Sequence, residues 1–207
     1  MPTRVWLLRH AESATPGVFH GAESDVGLSD RGARQVQAIA RHFASCRADV
    51  VVCSAMRRAR LTAKPIAEAC GLPLVVEPDL HERRVGVLQG TPTRPPDARW
   101  VETERHWSAG RTDFATPGAE SFNDIRDRIV PVWQRITAKY ADQSLIMVVH
   151  GIVIRVLLLS MLPGYSPADW DRVGPNPNLG VTELVGESGS WTALRMNEVP
   201  ATVAATP

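Results

Sequence analysis

Four short apolar runs each end at ionisable side chains: Arg9 and His10 follow residues 3–8, Arg57 and Arg58 follow 50–53, His81 and Glu82 follow 74–76, and His150 follows 145–149. Brought to one crevice, these types suit an oxyanion substrate. An unprotonated imidazole is a nucleophile, fixed cations stabilise charge developing on oxygen, and a carboxyl group supplies the proton that a leaving alkoxide needs. A metallohydrolase using His10, His81 and His150 would need a carboxylate-rich ligand set that is not evident. Cys46, Cys53 and Cys70 are odd in number and lack C-x-x-C spacing, which suggests neither a zinc cluster nor a disulfide framework.

These side chains converge only if the apolar runs are neighbouring strands. Residues 3–8, 50–53, 74–76 and 145–149 read as four strands, the second β-branched and fully apolar as a central parallel strand should be. Helices are predicted between them. Ser29 caps one ending near Ser45, with Ala33, Val36, Ile39, Ala40 and Phe43 at helical spacing, and Ser54 is placed to cap a second over 55–70. Pro65 should kink that helix or cost about 3 kcal/mol, and Pro131 should bend a third over 121–140. Residues 152–159 are apolar all round, as in a helix buried on every side. Residues 78–119, rich in Pro, Gly, Arg and Trp, read as a long irregular segment carrying specificity. Runs at 179–185 and 191–196, joined by Gly-Glu-Ser-Gly-Ser, read as a hairpin.

The expected fold is α/β, a three-layer sandwich with a mostly parallel central sheet flanked by helices. It forms one domain over 1–199, followed by a flexible tail at 200–207. In such sheets ligands bind outside the carboxyl ends of the strands.

Composition narrows the partners. With 23 Lys+Arg against 22 Asp+Glu, the formal charge of +1 creates no field to hold nucleic acid or an anionic membrane. His150, Gly151 and Arg155 interrupt the most apolar stretch, 145–162, so no membrane span is expected, and the apolar run Val5 to Leu8 is too short for a secretory signal. The cysteine usage fits a reducing cytoplasm. A monomer and a homodimer are both compatible with these features.

R-H-A-E-S at 9–13 resembles the signature of the histidine phosphatase superfamily, also called the phosphoglycerate mutase-like family. S-A-M-R-R-A-R-L-T-A at 54–63, L-H-E-R-R-V-G-V-L-Q-G at 80–90, P-G-A-E-S at 117–121 and V-V-H-G at 148–151 are similar to its further motifs, in family order. The resemblance implies His10 as nucleophile, Arg9, Arg58 and His150 as phosphoryl-binding groups, and Glu82 as proton donor. Ser13, His20 and Gly21 would add phosphate contacts, and Gly151 would let backbone approach the ligand. Arg83, with other arginines of 84–111, suggests an anionic leaving group, whereas Arg57 and Glu12 read as surface or structural.

Two displacements at phosphorus through a phosphohistidine would hydrolyse a small phosphate ester with no cofactor and no metal. Ala11 stands where many members have Gly, and Ala55 where Pro is usual. No Asn lies between Arg9 and Gly21, Val85 replaces the mutase Tyr, and the lysine and paired arginines of the mutase lid are not recognisable. A phosphoglycerate mutase is therefore the weaker enzyme reading. A silent phospho-ligand-binding regulatory module is disfavoured because nucleophile, cations, acid and second histidine are all present.

Overall fold

Aliphatic and β-branched runs assemble into one six-stranded sheet in the computed structural model, which describes residues 2–187 and 189–205. The strands are β1 (Thr3–Arg9), β2 (Val50–Ser54), β3 (Leu74–Glu77), β4 (Ser144–Val149), β5 (Val181–Glu187) and β6 (Ser190–Glu198), in the order β3-β2-β4-β1-β5-β6. The first four in that order are parallel, while β5 runs antiparallel to β1, and β6 to β5. Register sets Arg9 beside Val149 and Cys53 beside Val148. His10, Ser54 and His150 therefore leave the sheet within one residue of the same level.

Among the described residues, seven helices complete the sandwich: α1 (Asp30–Phe43), α2 (Arg57–Cys70), α3 (Ala98–Ser108), α4 (Phe122–Lys139), α5 (Gly151–Met161), α6 (Trp170–Val173) and α7 (Ala201–Ala204). Because side chains alternate along a strand, β4 sends Leu145, Met147 and Val149 into one core and Ile146 and Val148 into the other. The first core holds α4, α5 and the tryptophans Trp100, Trp107 and Trp170; the second holds α1, α2 and Val203 of α7. Ser29 caps α1 by accepting from Gly32 N, and Ser121 and Asp124 form a reciprocal capping box on α4.

Several expectations need correction. Residues 78–119 are not irregular throughout, since α3 forms within them under an Asp97 cap, with Trp100, Thr103 and Trp107 buried along one stripe. The sequence 167–173 also turns helical, ending in α6. Ser54 does not cap the second helix, which starts at Arg57 after Met56; its hydroxyl is drawn instead to His150. That helix and α4 are continuous through Pro65 and Pro131. The first hairpin strand is shifted two residues towards the turn and the second is longer than expected, so that together they take up most of the five-residue turn, of which Ser188 lies outside the described residues. The supposed tail contains α7, because Val203 is buried beside α1; the last two positions of that tail, 206–207, lie outside the described residues.

Candidate active site

The end of β1 delivers His10 into a buried position where its hydrogen bonds fix the tautomer. Arg58 Nε, which can only donate, lies 3.2 Å from His10 Nε2, so Nε2 carries a lone pair. The ring proton is therefore on Nδ1, which donates to the Ala11 carbonyl at 2.7 Å. Burial, reinforced by Arg9 and Arg58, holds the His10 pKa well below the usual imidazole range. The imidazole is neutral at neutral pH, with its basic nitrogen presented to Arg58.

Local packing holds this geometry. Asn178 Nδ2 donates to the His10 carbonyl at 2.9 Å, and Ala11 N donates to Thr62 Oγ1, whose hydroxyl in turn donates to the Arg58 carbonyl. Ala11 is fully buried and has no left-handed backbone, so a methyl group serves where the family often has Gly. Arg58 is itself buried and donates to the carbonyls of Ser24 (3.0 Å) and Gly21 (2.9 Å). Gly21 adopts φ +59°, and a Cβ there would lie 2.5 Å from Val85 Cγ2. Arg9 donates to the Asn176 carbonyl, while its Nε is buried without a partner.

His150 is fully buried at the N-terminus of α5, its ring centroid 5.1 Å from that of His10. Its Nε2 lies 2.9 Å from Ser54 Oγ, and its Nδ1 has no partner. Ser54 Oγ accepts from Met56 N, and among the described residues its hydroxyl proton has no acceptor other than His150 Nε2; assigning it there places the ring proton on Nδ1. Burial first, then Arg58, His10 and Arg9, depress this pKa well below its ordinary value. His150 is therefore a neutral imidazole at neutral pH, beside the cations Arg9 and Arg58. Glu82 is half-buried, its Oε1 accepting from Arg83 N at 2.8 Å and its Oε2 from Ile152 N at 3.4 Å.

A cavity of about 320 Å³ opens above His10, with His150 fully buried outside its lining. Arg9, His10, Arg58 and Glu82 line it, as do Ser13, His20, Gly21, Arg83 and Gly151. His20 Nε2 is engaged with the Thr15 carbonyl at 2.7 Å and so braces its own loop. A Cβ at Gly151 would rest on Arg9, 3.4 Å from its Nε, so the glycine leaves that guanidinium uncovered. Arg57 is exposed, and Glu12 ties Ser29 and Arg31 to the loop after β1. Sequence reasoning missed Asn176 and Asn178, which enter from the loop before β5; a Gly-Pro-Asn-Pro-Asn-Leu-Gly stretch marks a turn without showing where it goes. Among the described residues, no group of three or more His, Cys, Asp and Glu side chains is arranged to hold a metal ion.

A mostly parallel three-layer α/β protein with a cation-flanked, tautomer-fixed histidine at its strand ends defines a recognisable class. The profile of the histidine phosphatase superfamily (branch 1) matches residues 5–199, and the chain belongs to that family. It is 35% identical over 170 residues to a metal-independent phosphoserine phosphatase of Arabidopsis thaliana, a match covering 79% of this chain and 71% of the relative. It is 34% identical over 196 residues to a bifunctional protein of Mycobacterium tuberculosis, covering 93% of this chain but only 53% of the relative. Among solved structures, a mycobacterial glucosyl-3-phosphoglycerate phosphatase superposes with a TM-score of 0.82 at 26% identity, covering 95% of this chain and 99% of the other.

Proposed function

We propose that the chain hydrolyses small phosphate monoesters through a phosphohistidine on His10, without a metal or cofactor. The observation that carries this reading is the His10 tautomer: Nδ1–H is tied to the Ala11 carbonyl, and the lone pair of Nε2 faces the Arg58 guanidinium at the cavity wall. Family membership and the phosphatase relatives support the same reaction class.

In the first step Nε2 forms a bond to phosphorus while the ester P–O bond breaks. Approach of the phosphoryl group replaces the Arg58 hydrogen bond to Nε2, which frees that N–H for a phosphoryl oxygen. Arg9 Nε and His150 Nδ1, both buried without partners, are further donors available to those oxygens. Protonated Glu82 gives its proton to the departing alkoxide, and as carboxylate it then takes one from the water that attacks the phosphohistidine. Phosphate leaves, and His10 returns to its neutral form.

A leaving-group comparison tests the division of labour. General acid catalysis contributes about 10²- to 10⁴-fold, so Glu82→Gln should slow an alkyl phosphate by that order and an aryl phosphate far less, because phenolate leaves unaided. Equal losses on both substrates would refute the role of Glu82. The three free cysteines support a reducing, cytoplasmic setting for this reaction. Among the described residues, no helix is long and apolar enough to cross a membrane.

A further inference from the structure

Arg83 is fully buried, yet only part of its guanidinium is accounted for. Its Nε donates to the Glu120 carbonyl at 2.8 Å, whereas Nη1 and Nη2 are buried with no hydrogen-bond partner. The neighbouring carboxylates are engaged elsewhere. Glu82 accepts from main-chain N–H groups, Glu120 is paired with Arg128, and Glu23 accepts from Val85 and Gly86 N–H. Glu104 takes the Trp170 indole N–H and faces Arg155 at 3.7 Å.

Arg83 belongs to the wall of the cavity, its guanidinium buried within that wall. Arg83 and Trp100 both line it, and the guanidinium carbon lies 5.1 Å from the ring centroids of Trp100 and Trp107. Those rings hold the planar group in a fixed attitude. Asn176 lines the same cavity, and both its side-chain amide atoms are buried without hydrogen-bond partners. Burial lowers the Arg83 pKa to about 10, so the group remains cationic at neutral pH. A buried cation with a free pair of nitrogens is complementary to a planar anion that accepts two hydrogen bonds, and a carboxylate has that shape.

We propose that Arg83, with Asn176 of the same cavity lining, receives a carboxylate on the leaving alcohol, so that the preferred substrates are phosphorylated hydroxy acids. This inference rests on the phosphomonoester hydrolase reading above. Within a generally basic segment Arg83 thus becomes a specificity-determining residue, while the phosphoryl chemistry stays with Arg9, His10, Arg58 and His150.

The test compares 3-phospho-D-glycerate with sn-glycerol 1-phosphate, which share the configuration at C2 and differ only in carrying a carboxylate or a hydroxymethyl group. A charge-assisted pair predicts a kcat/KM preference for the carboxylate of about 10- to 100-fold in the unmodified protein. Arg83→Met should reduce that ratio below about threefold, mainly through the KM for phosphoglycerate, and Arg83→Lys, which keeps the charge without the fork, should give an intermediate ratio. Absence of a preference in the unmodified protein overturns the proposal while hydrolysis of both esters leaves the hydrolase reading standing. A preference that persists in folded Arg83→Met assigns the carboxylate to another cation and also overturns it. If the methionine variant does not fold, an undiminished ratio in Arg83→Lys has the same force. No hydrolysis of either ester or of an aryl phosphate would instead refute the underlying hydrolase reading.

Discussion

At the scale of residues, the site keeps its imidazoles neutral at acidic pH values where an exposed histidine would be protonated. His10 and His150 both have folded-state pKa values held well below 6.5, chiefly by burial. Below the unfolded value of about 6.5 the unfolded chain therefore binds protons that the folded chain refuses, and stability is lost as pH falls. Each histidine contributes a slope of up to about 1.4 kcal/mol per pH unit below that point. Urea midpoints measured between pH 7.5 and 5.5 should fall with pH, and His150→Gln should flatten the slope; a profile level over this range would contradict the burial argument. The sequence marked His10, Arg58 and His150 through strand ends and motif order. It could not show the Ser54 hydroxyl on His150 or the Asn178 amide on the His10 carbonyl, because both join segments about 100 residues or more apart.

Elements decide whether those residues meet. Gly32 on α1 packs so closely on the loop after β1 that a Cβ would fall 2.2 Å from the Glu12 carbonyl oxygen. That oxygen is backbone, so Gly32→Ala should push α1 away from the loop and cost about 1–3 kcal/mol, as overpacking does, read from the shift in denaturation midpoint. A change below about 0.5 kcal/mol would mean that the loop yields freely. Strands β1, β2 and β4 were legible because continuous apolar runs bounded by charge have few other readings. Helix α3 was not, since its buried stripe of Trp100, Thr103 and Trp107 is diluted by Arg99, Glu102, Glu104 and Arg105 on the remaining faces. Short α7 carries even less signal: one buried valine, Val203, holds four residues against α1.

For the whole molecule, the parallel-strand crossovers and an antiparallel edge bring side chains from β1, α2, the segment after β3 and α5 to one rim, and the phosphoryl-binding groups proposed above are all protein side chains. Aryl phosphate hydrolysis should consequently survive exhaustive chelation, and restoration of a lost rate by a divalent ion would oppose a metal-free site. Isomerisation of 3-phosphoglycerate to 2-phosphoglycerate should be slight beside hydrolysis, given Val85 in place of the mutase Tyr; rapid conversion would favour the mutase instead. The most direct measurement is the intact mass of Glu82→Gln quenched in alkali during turnover, since a phosphoramidate survives base and hydrolyses in acid. The covalent route predicts one added phosphoryl group located on His10, absent from the His10→Ala protein, whose activity falls to background; phosphate on a serine, or sustained turnover by His10→Ala, would contradict it.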